Sequence, residues 1–278
     1  MDENIKYCPF CGGIELKEIR CVSKHKKTVR DRTAAVHEHE SRLHERCFMH
    51  CTGNGGCGGF FLLPEYFLPK AEQKKRYLLH NNNLSDAGYR SFLENFADTA
   101  LVHIRELLGR PPHSIFDYGC GNGSLVELLH SYACGGLLPE NTEIRGRDPF
   151  FAPDTPFFEG GADAVLCLEV AEHFENPHEG FAGLARACKK GGYAAVQTLF
   201  APESGGEAGA DTSSGAEIAA GANAQAAESA FRSWWYKEDT THVSFYTEKA
   251  LKACAERAGF EYCGTYSNCS ILRAAFPR

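Results

Sequence analysis

Thiols, carboxylates, imidazoles and glycines fall at chemically useful spacings in three places along this 278-residue chain. Near the start, "YCPFCGG" holds Cys8 and Cys11 as a C-x-x-C pair with glycine behind it. Two thiolates on a tight turn make half of a tetrahedral zinc site, and the other half should be a second close group. "RCFMHCTGNGGCGGFF" offers Cys47, His50, Cys51 and Cys57. The phrase "CGGFF" repeats the Cys-Gly-Gly arrangement after Cys11, which selects Cys57. Cys51 is taken as the fourth ligand, and Cys47 stays open as the alternative. A redox C-x-x-C would need a thioredoxin-like βαβ context, and none follows. The expectation is one zinc at Cys8, Cys11, Cys51 and Cys57.

The second place is "FDYGCGNGSL", where Gly119, Gly121 and Gly123 alternate behind Asp117. Glycines let a backbone turn tightly and approach a ligand closely. The dinucleotide fingerprint G-x-G-x-x-G would put its third glycine at position 124, which is Ser124 here. The spacing found is D-x-G-x-G-x-G. The third place is split. "EVAEH" supplies Glu169, Glu172 and His173, and "WWYKEDTTHVSFY" supplies Asp239 and His242 among Trp234, Trp235, Tyr236, Phe245 and Tyr246. Three readings stand. Glu169 caps and lines a cofactor pocket while His173 packs at a helix start. Or Glu169, Glu172 and His173, sharing one face of a helix by their i, i+3, i+4 spacing, bind a divalent metal with His242 as fourth ligand. Or His242, beside Asp239, is a metal-free general base. Phe245 is read as core.

These residues together resemble the class I S-adenosylmethionine-dependent methyltransferases. Besides the glycine turn, the likeness rests on Asp148 ending "TEIRGRD", on "ADAVLCLEVAEHF", and on the basic-Gly-Gly turn of "CKKGGYAAV". It implies a Rossmann-like, doubly wound, mostly parallel seven-stranded sheet that binds S-adenosylmethionine. In that family Asp117 would meet the cofactor's amino group. Gly119, Gly121, Asn122 and Gly123 would pass under its methionine part, Asp148 would accept the ribose hydroxyls, and Glu169 would line the pocket. E-x-x-E-H with a later histidine is similar to the divalent-metal site of small-RNA 3′-end methyltransferases and of some ubiquinone-pathway O-methyltransferases. The lead-in "YLLHNNNLSDAGYRSFL" and the "WWY…D-x-THV-x-FY" segment resemble a bacterial group with an N-terminal zinc ribbon. In such enzymes a lead-in often covers the cofactor, which makes Tyr77, His80 and Tyr89 lid candidates.

The elements that must position these groups follow from pattern. "RSFLENFADTALVHIRELLG" places Phe92, Phe96, Leu101, Ile104 and Leu108 at near-helical spacing, stopped by Gly109 and the Pro111–Pro112 pair. From Ser114, short apolar runs alternate with helical ones, which implies parallel pairing and an α/β sandwich. "TEKALKACAERA" reads as a last helix with Thr247 as N-cap. "GFEYCGTY" and "SILRAAF" read as a terminal antiparallel pair. The expected divisions are 1–63, a zinc ribbon with a charged excursion; 64–112, a helical lead-in; and 113–278, the catalytic domain. Within the last, residues 202–230 have Ile218 as their only large apolar residue and read as a flexible insertion. An Ala-rich helix around 216–230 is the weaker alternative, because Gly221 and Asn223 lie inside it.

Thirteen cysteines, an odd number spread through apparent core strands, do not form a disulfide framework. The start is acidic and then cysteine-rich, unlike a signal peptide, and no apolar run is long enough for a membrane span. The expected location is cytoplasmic, with no membrane partner. A net charge of -7 gives no general attraction for nucleic acid. The acceptor class remains a small molecule or RNA. A ribbon before this fold also occurs in a ribosomal-RNA guanine methyltransferase family. A catalytically silent cofactor-binding or scaffold protein, its ribbon recruiting a partner, is the alternative from another class.

Overall fold

Residues 6–22, 45–53, 55–79, 82–203 and 220–275 are described by a computed structural model, the last span with side chains from 224 onward. The charged excursion between the cysteine groups, His80 and Asn81, and residues 204–219 of the expected insertion lie outside the described residues. In chain order the elements are β1 (Leu16–Val22), β2 (Glu45–Cys51), β3 (Phe60–Leu62), α1 (Lys70–Tyr77), α2 (Ala87–Leu108), β4 (Ser114–Tyr118), α3 (Ser124–Cys134), β5 (Glu143–Arg147), β6 (Ala162–Leu168), α4 (Pro177–Ala187), β7 (Cys188–Gln197), α5 (Ala220–Ser233), β8 (Ser244–Phe245), α6 (Glu248–Arg257), β9 (Phe260–Tyr266) and β10 (Cys269–Ala274). They form two compact units. The first draws on Met1–Gln73, Glu172–Glu175 and Leu199–Ala253; the second on Lys74–Ala171, Asn176–Thr198 and Cys254–Arg278. The expected cuts after residues 63 and 112 do not match this division. The unit that holds the cysteines also takes a strand from residues 244–245.

In the second unit, a sheet of order β5-β4-β6-β7-β10-β9 is parallel through β7 and antiparallel beyond it. Six strands pair among the described residues, where seven were expected. The sheet is doubly wound: from β4 the chain adds β5 on one side and then crosses to β6 on the other. Ligands of such sheets bind at the carboxyl ends of the strands beside this switch point, where the glycine turn follows β4. Helix α2 is capped at its start by Asp86, whose side chain accepts from the Tyr89 amide, and at its end by Gly109 at φ 69°. Its buried stripe is Leu93, Phe96, Ala97, Ala100, Leu101 and Ile104; Phe92 is 37% exposed, one position off the expected face. The stripe packs against Ile115, Leu166, Ala195 and Ile271 of the sheet.

The first unit is built on an antiparallel sheet β1-β2-β3-β8. Its core is aromatic, with Phe48, Phe60, Phe231, Trp234, Tyr236 and Phe245 buried together. Phe231 explains a correction. Residues 220–230, the end of the segment read as a flexible insertion, lie in helix α5 (Ala220–Ser233), as the weaker alternative of a helix there had it. Its composition looks too polar and small to fold, but Ala227 and Phe231 are buried in that core, and tertiary burial overrides the weak local propensity of Gly221 and Asn223. Thr247 caps α6 as expected, accepting from the Ala250 amide at 3.1 Å. Among the described residues no helix is long and apolar enough to cross a membrane.

One buried charge pins the amino-end rim of the parallel sheet. Asp163 is 1% exposed and accepts from Arg110 through both carboxylate oxygens, from the His113 amide at 2.7 Å, and pairs with Lys189. Burial pushes its carboxyl up, but these donors outweigh it and hold it below the ordinary range. The stabilisation is therefore present above the unfolded carboxylate pKa and is lost as pH falls. Because Arg110 and Lys189 are each over a third exposed, Asp163→Ala should cost about 2–3 kcal/mol, less than a fully buried pair. Urea unfolding at pH 7 should show that loss, and the difference from wild type should shrink toward pH 3.

Candidate functional site

The thiols meet as the spacing implies. Cys8 and Cys11 lie on a turn closed by the Gly12 amide bonding to the Cys8 carbonyl, and Cys51 ends β2. Cys57 follows a tight loop in which a Cβ on Gly56 would lie 2.2 Å from the Thr52 carbonyl oxygen. The sulfur atoms of Cys8, Cys11, Cys51 and Cys57 lie within 4.8 Å of one another. Cys8 to Cys57 and Cys11 to Cys51 are each 3.6 Å. A tetrahedral zinc with bonds of about 2.3 Å sets its sulfurs about 3.8 Å apart, so the donor set fits that ion. The Cys57 and Cys8 thiols aim at Cys51 and hold it well below the ordinary thiol range. Cys51, and not Cys47, has its sulfur in this group. His50 does not join the group: it stacks on Phe60 and faces Glu228.

In the second unit, the glycine turn sits on the carboxyl end of β4. Gly119, Gly121 and Gly123 have φ of 86°, 52° and 88°. A Cβ on Gly119 would lie 2.5 Å from Val170, whereas a Cβ on Gly121 would meet nothing within 4 Å. Gly119 is thus needed for packing, and Gly121 borders open space. Asp117 is buried under this turn. Its Oδ2 has no hydrogen-bond partner among the described residues, and burial together with the charge of Asp148 raises its pKa to about 7. Such an orphaned acceptor is costly unless something cationic completes it. Tyr89 from α2 lies close enough to feel that charge: burial and Asp117 both raise its phenol.

Asp148 and Asn122 both hold the backbone of this turn. Asp148 accepts from the amides of Phe150 and Phe151 through Oδ1 and of Gly121 through Oδ2. With about four lone pairs on a carboxylate, one remains. Asn122 staples the turn: its Oδ1 accepts from the Ser124 amide and hydroxyl, and its Nδ2 donates to the Asn82 carbonyl. Glu169 ends the strand at φ 50°, its amide bonded to the Gln197 carbonyl.

In the first unit, Glu172, His173 and His242 bring one ligand atom each within 4.8 Å of the others. Glu169 is not in this group. The expected shared helix face fails because residues 171–173 form a single 3-10 turn after the left-handed Glu169, not an α-helix running through it. Both imidazoles have their Nδ1 against a carbonyl, His173 on Thr241 at 3.0 Å and His242 on Tyr236 at 2.8 Å. A carbonyl only accepts, so each Nδ1 carries the proton and each Nε2 keeps its lone pair. This is how metal-ligating histidines are usually held. Tyr236 Oη donates to Glu172 Oε1 at 2.7 Å. Burial, then the neighbouring His173, lowers His242 to about 3. Asp239, expected to act beside it, shapes the loop: its Oδ1 accepts from the Thr241 amide and hydroxyl. Most of the aromatics around His242 are core, Phe245 as expected. Trp234, Tyr236 and Phe245 belong to the buried cluster and Tyr246 packs on Phe10, while Trp235 is 69% exposed.

A family model described as "Methyltransferase domain" matches residues 89–263. The chain belongs to this methyltransferase family. The match includes the glycine turn, Asp148, the Glu172–His173 turn and His242, and leaves the four thiols outside it. Solved methyltransferase structures are similar to this chain at low identity. A putative methyltransferase from Bacillus halodurans is 20% identical, over 63% of this chain and 71% of that one, with a TM-score of 0.39. The N-methyltransferase NodS from Bradyrhizobium japonicum, solved with S-adenosyl-L-homocysteine, is 13% identical over 73% and 96%, with a TM-score of 0.42. The 1,6-didemethyltoxoflavin-N1-methyltransferase of Burkholderia thailandensis is 12% identical over 83% and 96%, with a TM-score of 0.46. No curated protein matches the sequence.

Sequence reasoning missed Tyr236 as the partner of Glu172, Asn82 as the anchor of the glycine turn, and Arg46, whose contacts are described below. Nothing local marks them, since each acts across many residues of chain. The two glycines separate cleanly by experiment. Gly119→Ala should cost about 2–3 kcal/mol, since Val170 must move, while Gly121→Ala should cost about 1 kcal/mol for its left-handed φ alone. Equal losses in chemical denaturation would contradict this assignment of the turn.

Proposed function

We propose that this methyltransferase uses S-adenosylmethionine, carries a structural zinc on Cys8, Cys11, Cys51 and Cys57, and binds a divalent cation at Glu172, His173 and His242. S-adenosylmethionine would supply a sulfonium-activated methyl group, moved by in-line displacement, so that the protein's work is chiefly positioning. The observation that carries this reading is the buried, partnerless Oδ2 of Asp117, which suits an ammonium such as the cofactor's amino group. Gly121 leaves open space above the turn, and the remaining lone pair of Asp148 suits a ribose hydroxyl.

The cation reading rests on Glu172, His173 and His242, whose ligand atoms lie within 4.8 Å of one another. A bound divalent cation would polarise an acceptor oxygen and lower its pKa. The acceptor that fits such a hard, mixed oxygen and nitrogen site is a hydroxyl-bearing one, on a small molecule or an RNA. The metal-free general-base reading fits less well: a histidine held at about 3 is a weak base near neutral pH. Asp239 would serve by holding the loop that carries His242. The silent reading, a cofactor-binding or scaffold protein, predicts no methyl transfer even where the cofactor binds.

Asp117 gives that test its sign. Its folded pKa is raised, so the free protein keeps this proton up to about pH 7, and an ammonium ligand needs it gone. Affinity for S-adenosylhomocysteine should therefore climb toward tenfold per pH unit between about pH 5 and 7, then level off. Calorimetric titration should show this slope in wild type, a flat and weaker profile in Asp117→Asn, and no binding in Gly121→Arg. A flat wild-type profile would remove Asp117 from the site.

Elemental analysis should find one zinc per chain that resists mild chelation, as thiolate sites do. Added Mn(II) should bind separately and be lost equally in Glu172→Ala and His242→Ala, with the zinc retained and Glu169→Ala unaffected in this respect. Methyl transfer indifferent to removal of the added metal would overturn the cation reading and leave the zinc and cofactor assignments standing.

A further inference from the structure

The loop that presents His242 is held by a buried arginine from the cysteine sheet. Arg46, in β2, is 3% exposed. Its guanidinium donates to the carbonyl of Lys237 and, at 3.2 Å, to the carbonyl of Asp239. The planar fork thus grips two carbonyls that bracket one turn of chain, a geometry that an ammonium cannot reproduce. Its stem is fixed by Phe48, whose ring centre lies 5.2 Å from the guanidinium carbon. Glu238 and Asp239 supply the opposing charge that a buried cation requires. The two gripped carbonyls neighbour the one that matters for chemistry: Tyr236, whose carbonyl takes the Nδ1 proton of His242, directly precedes Lys237, and the Asp239 carbonyl also accepts from the His242 amide.

The same sheet continues beyond His242. The Val243 carbonyl accepts from the Leu62 amide, and Ser244 and Phe245 pair with Phe61 and Phe60. The Val243 amide returns to the Glu172 carbonyl. Past β8, the Thr247 hydroxyl donates to the Cys57 carbonyl, and Lys249 reaches the Gly56 carbonyl at 2.7 Å. Both carbonyls belong to the loop that delivers Cys57, and Cys51 closes the strand that carries Arg46. The chain from Lys237 to Lys249 is therefore sewn at both ends to the backbone that holds the four thiols.

We infer that Arg46 is a positioning residue for His242, and that the metal centre at Cys8, Cys11, Cys51 and Cys57 sets the shape of the Glu172–His173–His242 group through Arg46 and the β3–β8 ladder. The ribbon is then the scaffold of the acceptor-side group, not an independent docking module. The inference rests on the functional reading of that group, but its geometric content is tested without turnover.

The test is the ring-nitrogen spectrum of the histidines, recorded by long-range proton–nitrogen correlation on the full chain with zinc bound and no second metal. Wild type should show His242 and His173 protonated at Nδ1 and bare at Nε2. In Arg46→Ala, His242 should lose this single tautomer, and Mn(II) should bind at least tenfold more weakly. Free guanidinium should restore both, because it refills the fork. Arg46→Lys, which keeps the charge and should keep the fold, should also lose the tautomer, since the ammonium lacks the fork. Withdrawal of zinc by a strong chelator should scramble His242 in wild type, and zinc should restore it. A His242 signal unchanged in Arg46→Lys, or a lost signal that guanidinium fails to restore in folded Arg46→Ala, would overturn the role of Arg46. A signal unchanged on zinc withdrawal would overturn the coupling. Should wild type bind no Mn(II) while the tautomer still responds to Arg46, the cation reading falls and the positioning role stands.

Discussion

The pairing of β3 with β8 is the constraint on which the first unit depends. It spans only Phe60 with Phe245 and Phe61 with Ser244. Two-residue strands have little stability of their own, so this ladder must be held from outside. The aromatic cluster beneath it supplies part of that support: Phe60 stacks on Phe231 at 4.1 Å, and Phe245 and Phe48 meet the same ring edge-on. The thiol cluster supplies the rest, by closing the loop that leads from Cys51 into β3. Residues at 8–11, 46–62 and 231–247 then share one core, although local sequence gives no reason for them to meet.

Burial of polar groups is handled in opposite ways within one sheet. Asp163 is surrounded by donors and is satisfied; Arg46 is buried with two carbonyls and two carboxylates in reach. Asp117 is buried with its outer oxygen unmet. A protein tolerates an unmet buried acceptor where a ligand completes it, because the desolvation already incurred makes the eventual hydrogen bond stronger. The contrast between Asp163 and Asp117, two aspartates of the same sheet, separates a carboxylate met by protein donors from one that the proposed function completes with a ligand. The switch point beside β4 explains where the second kind arises, since neighbouring strands diverge there and leave the carboxyl ends uncovered.

The histidine group follows a third logic. His173 and His242 are each fixed by a backbone carbonyl, which costs no charge and selects the tautomer. Tyr236 serves twice, donating its hydroxyl to Glu172 and lending its carbonyl to His242. The carboxylate and both imidazoles are thereby oriented from one short loop. That economy makes the loop's anchoring decisive, and the anchor comes from the cysteine sheet.

Spacing alone determined what depends on a few adjacent residues. Cys8 and Cys11 on one turn, the alternating glycines after Asp117, the cap of α6 at Thr247 and the strand-helix alternation from Ser114 were all legible, because hydrogen-bond geometry and backbone freedom act over a few positions. Side-chain partnership across distance was not. Cys51 could be chosen over Cys47 only once β2 had paired and set which sulfur faced the turn. Glu169 left the group expected of it because one residue of left-handed backbone ended the helical phase that its spacing assumed. Helix α5 formed where composition argued against order, since Phe231 and Ala227 gained more from a core built elsewhere than local propensity cost them. Arg46, 191 residues before Lys237, became meaningful only when the sheet brought its guanidinium to the carbonyls of Lys237 and Asp239. Local chemistry is written in spacing; the burial that gives it a partner is decided by the fold.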